Sequence, residues 1–189
     1  MENLQIAKSN PWECDPNPWH TEAKFIGWVR GVLRKGWSKH PLKITYIHLN
    51  RKRIANPKPR HAPQHALVWG MACQVCKKDH VQSNIEIDHI GDSGTFTKMS
   101  DIEAYATHLY MVTYDDLRSV CKECHKIINH SQRHGVSFDD ASILKEVIRI
   151  CKEESLGDII TFCNDYEYSD TSNTLKRKTA IEAILRSVS

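Results

Sequence analysis

The most chemically specific spacing in this 189-residue chain is a pair of Cys-x-x-Cys motifs, Cys73/Cys76 and Cys121/Cys124. Four thiolates are enough to close a tetrahedral zinc shell with no open coordination position, so such a centre organises structure and performs no reaction of its own. Its effect would be to join two distant segments into one small module where a large core is not available. Of seven cysteines, Cys14, Cys151 and Cys163 remain. An odd count, with no secretory layout in Met1 to Asn10, points to metal binding rather than a disulfide framework. Cys151 and Cys163 lie among apolar residues and are expected to be core thiols; Cys14 has no assigned role. A thiol redox protein would place one Cys-x-x-Cys at a helix start after a βαβ pattern, and two pairs flanking an Asp-His dipeptide fit zinc better.

Between and after these pairs stand Asp88-His89-Ile90, Asp116-Leu117 and, directly following Cys124, His125. Each is a weak signal alone, since a lone histidine is more often structural than catalytic. The order, an apolar strand ending in Asp-His and then Cys-x-x-Cys-His opening a helix, is more specific. Phosphodiester hydrolysis needs a hard divalent cation against the developing negative charge. It also needs a base for the attacking water, and a neutral imidazole titrates in the useful range. Asp88 and His125 suit one cation, Mg²⁺ or another divalent ion completed by water, and His89 suits the base. Glu86 shares a strand face with Asp88, either to assist the metal or as a plain exposed carboxylate.

Taken together, Cys73/Cys76, Asp88-His89-Ile90, Asp116-Leu117 and Cys121/Cys124-His125 resemble the HNH endonuclease family in its Cys-x-x-Cys-containing branch, over residues 70–132. The resemblance implies a ββα-metal, treble-clef-like fold, with His89 as general base and Asp88 and His125 as ligands of the catalytic cation. Some relatives carry a further ligand four residues after the helix histidine, here Asn129; the plainer reading makes Asn129 and His130 polar residues on an exposed helix face. The family's middle residue, usually Asn, falls at Asp116, which can accept a hydrogen bond and orient the base histidine but cannot donate. The long gap between the Cys pairs, with an extra helix near Ser100–His108, is similar to small HNH-type proteins of bacteriophages, which implies a phage-encoded protein acting in the host cytoplasm.

The elements that must position these residues are read from periodicity and punctuation. Three segments are expected: a basic, Trp-containing helical region at 1–64, the zinc-stapled HNH module at 65–135 and a helical extension at 136–189. The fold class is α+β, mainly helical, with the small ββα-metal zinc module flanked by N- and C-terminal helices. Thr21 caps a helix from Glu22 with Phe25, Ile26, Val29, Val32 and Leu33 inward, which Gly36 ends. A second helix over Lys43–Arg53 turns Ile44, Ile47 and Leu49 inward, and Asn56–Pro63 is a basic linker whose prolines forbid a helix. Strands are expected at Ile85–Ile90 and Leu109–Thr113, separated by a loop at Gly91–Thr97 and a helix opened by the capping box Ser100-x-x-Glu103. A helix runs from Cys121–Cys124 to Gly135. Three more follow: Phe138 to Glu154, capped by Ser137 and burying Ile143, Leu144, Val147, Ile148 and Cys151; one from Gly157; and Leu175 to Leu185.

The charge distribution fits a nucleic-acid partner, the plainer alternative being a solvated helix face with a basic loop. Net charge is only +3, yet Ala23 to Lys78 holds no Asp or Glu. Lys24, Arg30, Arg34 and Lys35, with Arg51, Lys52, Arg53, Lys58 and Arg60, therefore suit a phosphate backbone. No apolar run reaches the ~18 residues a membrane helix needs, and a cytoplasmic protein is expected. The leading reading is an endonuclease or nickase on double-stranded or branched DNA, Holliday-junction resolution being a sub-case; no feature reads bases. The rival is a non-catalytic zinc-ribbon module that binds nucleic acid or protein. Residues 137–189 could make a homodimer or dock a phage or host protein.

Overall fold

A computed structural model describes residues 10–58, 64–91 and 94–188. The chain is mixed α and β and mainly helical, in the order α1 (Glu22–Ser38), α2 (Pro41–Asn50), β1 (Lys52–Ala55), β2 (Leu67–Ala72), β3 (Asp79–Val81), β4 (Ile85–His89), α3 (Ile102–Tyr110), β5 (Leu117–Cys121), α4 (Lys122–His134), α5 (Phe138–Glu153), α6 (Leu156–Asp165) and α7 (Thr174–Val188). Two compact units divide it, Met1–Val120 and Cys121–Ser189. Among the described residues no helix is long and apolar enough to cross a membrane.

In the first unit β1, β2 and β3 form an antiparallel sheet in that order, with Arg53 opposite Trp69 and Met71 opposite His80. β4 and β5 form a separate two-stranded sheet. One core gathers Ile26 and Trp37 of α1, Tyr46 of α2, Met71, Ile87, Phe96, Tyr105 and Leu109 of α3, and Leu117. Before α1, Trp12 and Trp19 pack their rings 5.5 Å from Phe25. Thr21 caps α1 as expected, accepting from the Lys24 N–H at 3.3 Å.

Several expectations are corrected here. α1 does not stop at Gly36 but runs on to Ser38. A Cβ on Gly36 would collide with the Tyr110 hydroxyl, which donates to the Leu33 carbonyl; the glycine serves a close helix–helix approach instead of a stop. α2 ends at Asn50, and Arg51 to Arg53 lead into β1. Tyr46 is the buried residue of α2, while Ile44 and Leu49 are exposed at 44% and 68%. The strand expected over Leu109–Thr113 is the end of α3 and a turn; the partner of β4 is β5, further on. Ser100 does not form the expected capping box, since its hydroxyl donates to the Asp101 carboxylate and α3 starts without a side-chain cap. The capping box lies instead at Thr113 and Asp116, over the 3₁₀ turn Tyr114–Asp116.

The second unit is helical. α4 ends on Gly135 in the left-handed conformation at φ 63°, and Ser137 and Ser155 cap α5 and α6 through Asp140 and Asp158 N–H groups. Val147, Ile159, Cys163, Ala180 and Ile181 form its core, with Ile143 and Cys151 packed against them. Cys163 is thus the expected core thiol. Ile148 is not inward as expected; it is 45% exposed.

Candidate functional site

The four cysteines converge. The sulfurs of Cys73, Cys76, Cys121 and Cys124 all lie within 4.8 Å of one another. A tetrahedral zinc with Zn–S bonds of about 2.3 Å has S···S edges of about 3.8 Å, so a small inward relaxation closes the shell. The sequence builds each half locally. Cys73 follows β2, and its turn is closed by the Cys73 N–H to Lys78 O bond at 2.8 Å and the Lys77 N–H to Cys73 O bond at 2.9 Å, with Lys77 at φ 61°. Cys121 ends β5 and is also the N-cap of α4, where its sulfur accepts from the Cys124 N–H at 3.4 Å. A thiolate at a helix N-terminus is stabilised by the unpaired N–H groups there. Ser119 donates to Ala72 O at 2.8 Å and Gln74 N–H to Ser119 O at 2.8 Å, which ties β5 to the end of β2. His80 sits 3.6 Å from the Cys76 sulfur. Cys73, Cys121 and Cys124 are buried and Cys76 half-buried, the enclosure a structural site needs.

A second group of residues surrounds His89 at the end of β4. Its Nε2 lies 3.2 Å from the Leu109 carbonyl. A carbonyl can only accept, so Nε2 carries the proton and neutral His89 has its lone pair on Nδ1. The ring packs 4.4 Å from Trp37. Burial pushes the His89 pKa down, against the opposing effects of the Leu109 bond and of Asp88 and Asp116. Burial thus favours the neutral imidazole, and the Leu109 bond sets its tautomer, the form a base requires. His89 and Asp116 line a cavity of about 180 Å³ together with Gly91, Thr107, His108 and Met111.

Asp116 holds the loop that carries this pocket. Its Oδ2 accepts from the Thr113 N–H at 2.7 Å and hydroxyl at 2.8 Å, and these bonds, first the backbone one, keep its carboxyl below the usual carboxylate range. Its carbonyl accepts from the Ile90 N–H at 2.9 Å, tying the loop to the end of β4. Asp88 accepts on Oδ2 from Arg118 Nε at 2.9 Å and a terminal nitrogen at 2.8 Å, with both side chains largely buried. Lys43 also approaches, its ammonium 5.4 Å from the Trp37 ring; burial lowers its pKa, with Glu86 opposing. Sequence reading missed Trp37, Leu109, Thr113 and Arg118. Arg118 had a signal, a basic residue in a strand beside the second Cys pair; a backbone carbonyl has none.

His125 stands half-buried in the first turn of α4, and Asn129 lies exposed one turn on. Of the residues read as DNA contacts, Lys24, Arg34 and Lys35 are exposed on α1. Arg34 also donates to the Tyr105 hydroxyl at 3.0 Å and Arg30 to Phe96 O at 3.3 Å, so both brace α1 within the first unit. Lys52 pairs with Asp79 at 2.9 Å, Arg51 and Arg53 lie over Trp69, Lys58 is exposed, and Arg60 lies outside the described residues. No protein-family model, curated protein or solved structure matches the chain.

Proposed function

We propose that this protein is a metal-dependent DNA endonuclease of the HNH kind. The observation that carries the reading is the His89 tautomer: Nε2–H donated to Leu109 O leaves Nδ1 as the proton acceptor in a half-buried pocket. In the reaction Nδ1 takes a proton from water as the water oxygen bonds to phosphorus, and the bridging ester oxygen leaves and takes up a proton from solvent. The HNH resemblance names Asp88, His125 and Asn129 as donors for a hard cation, and Mg²⁺ or a similar ion held by them would offset charge on the phosphate and leaving oxygen. Asp116 takes over the loop-holding task of the family's Asn by accepting rather than donating. The four-cysteine cluster supplies the structural zinc site.

The test is nicking of supercoiled plasmid with Mg²⁺, Mn²⁺ or Ni²⁺. His89→Ala should abolish it while the protein stays folded and its zinc content stays as in wild type. The Asp88–Arg118 pair favours a second reading, a non-catalytic zinc module in which Asp88 is a structural partner. If wild type cleaves no DNA form with any of these cations, the second reading replaces the first.

A further inference from the structure

Arg53 faces Trp69 directly across the β1–β2 ladder. The guanidinium carbons of Arg51 and Arg53 lie 4.2 Å and 5.1 Å from the centre of the indole. Trp69 nevertheless remains 42% exposed, so the residue is held in place with part of its surface open to solvent beside the two guanidiniums. Neither arginine pairs with a carboxylate among the described residues, whereas Lys52 between them binds Asp79 at 2.9 Å. Beside the indole opens a groove of about 380 Å³ with apolar walls from Val68 and Val81 and polar groups from Asn56, Gln82 and Lys58.

We infer that this groove takes an unpaired base of single-stranded DNA, stacked on Trp69, with its flanking phosphates against Arg51, Arg53 and Lys58. An exposed aromatic face beside uncompensated cations is the recurring chemistry of single-strand binding: the ring accepts any base and the cations follow the backbone. Arginine already laid on an indole gives up little side-chain freedom when a phosphate arrives. A base inside a duplex keeps its faces stacked on neighbours and cannot reach the indole, so the groove selects a strand with unpaired bases, as at a fork, flap or junction. The inference rests on the nucleic-acid part of the proposed function and adds the form of the substrate.

The test measures fluorescence anisotropy of a short labelled oligothymidylate and of a blunt duplex of equal length. It uses the zinc-loaded full chain carrying His89→Ala, so that nothing is cut. The single strand should bind at least about tenfold more tightly than the duplex. Added Trp69→Ala should weaken it by roughly tenfold or more, the loss of one stacked base, and Trp69→Phe should retain most of the affinity. Arg53→Gln should lower the slope of log affinity against log salt by about one unit. Equal affinity for duplex and single strand overturns the inference. So does unchanged single-strand binding by Trp69→Ala, or tighter binding of oligouridylate than of oligothymidylate. Single-strand preference in a protein whose wild type nicks nothing would sink the endonuclease and leave the groove standing; nicking of plasmid without that preference would do the reverse.

Discussion

The Asp116 side chain closes its turn purely as a hydrogen-bond acceptor. The Thr113 N–H and hydroxyl both donate to it, so any acceptor of the same length should do. Asp116→Asn retains an acceptor oxygen and is expected to keep plasmid nicking and most thermal stability at neutral pH. Asp116→Ala removes it, frees the turn beneath His89, and should lower both. The carboxyl is held below its ordinary range in the folded protein. Its contribution is therefore present above the unfolded pKa and lost as pH falls through the lowered folded value. The stability gap between wild type and Asp116→Asn should be constant at neutral pH and close in acid, as thermal melts across pH would record; a gap that widens in acid would refute the hydrogen-bond account.

At the scale of elements, α1 offers three glycines with different reasons for being there. Nothing lies within 4 Å of a Cβ built on Gly27 or Gly31, so replacing either by alanine should stabilise by about 0.5–1 kcal/mol through helix propensity alone. Gly36→Ala gains the same propensity but drives a methyl into the Tyr110 hydroxyl, with the ring carbon behind it at 3.4 Å. It should destabilise by roughly 1–3 kcal/mol as an overpacked contact. Tyr110→Phe removes the clashing oxygen, so in urea melts the double variant should cost less than the sum of the singles. These glycines also explain what the sequence could and could not disclose. Long periodic helices and their serine and threonine caps were legible because cap and period are local. Gly36 read as a stop because its reason is a tyrosine on another helix. Both β1 and β2 went unread, and β3 with them: at three to six residues each, they are too short to carry a clear period-two pattern. Likewise the Cys pairs and Asp88-His89 could be seen as residue types, whereas the Leu109 carbonyl that sets the His89 tautomer is backbone and has no letter.

For the whole molecule the decisive question is whether the four-cysteine cluster holds a metal. Cys73 and Cys121 are 0% and 2% exposed, and their sulfurs lie with those of Cys76 and Cys124 in one cluster. Without a cation, thiolates held this close repel one another, so they would protonate or turn outward, and the turn after β2 and the start of α4 would loosen. Metal-binding free energy in such sites is folding free energy. Chelation is therefore expected to lower the melting temperature by more than about 10 °C, which corresponds to a loss on the order of 5 kcal/mol for a chain of this length. Cys76→Ser should reduce zinc content and stability in the same direction. Thiol reactivity identifies the site. Cys14 is exposed and should react at once in the zinc-bound protein, while Cys163, fully enclosed in the α5–α7 core, should react only on unfolding. Zinc removal should expose four further fast thiols, released with one zinc per chain as measured by a chromogenic chelator. Fast reaction of all four before chelation would mean that the cluster holds no metal, and the stability of the protein would then have to come from its two apolar cores alone.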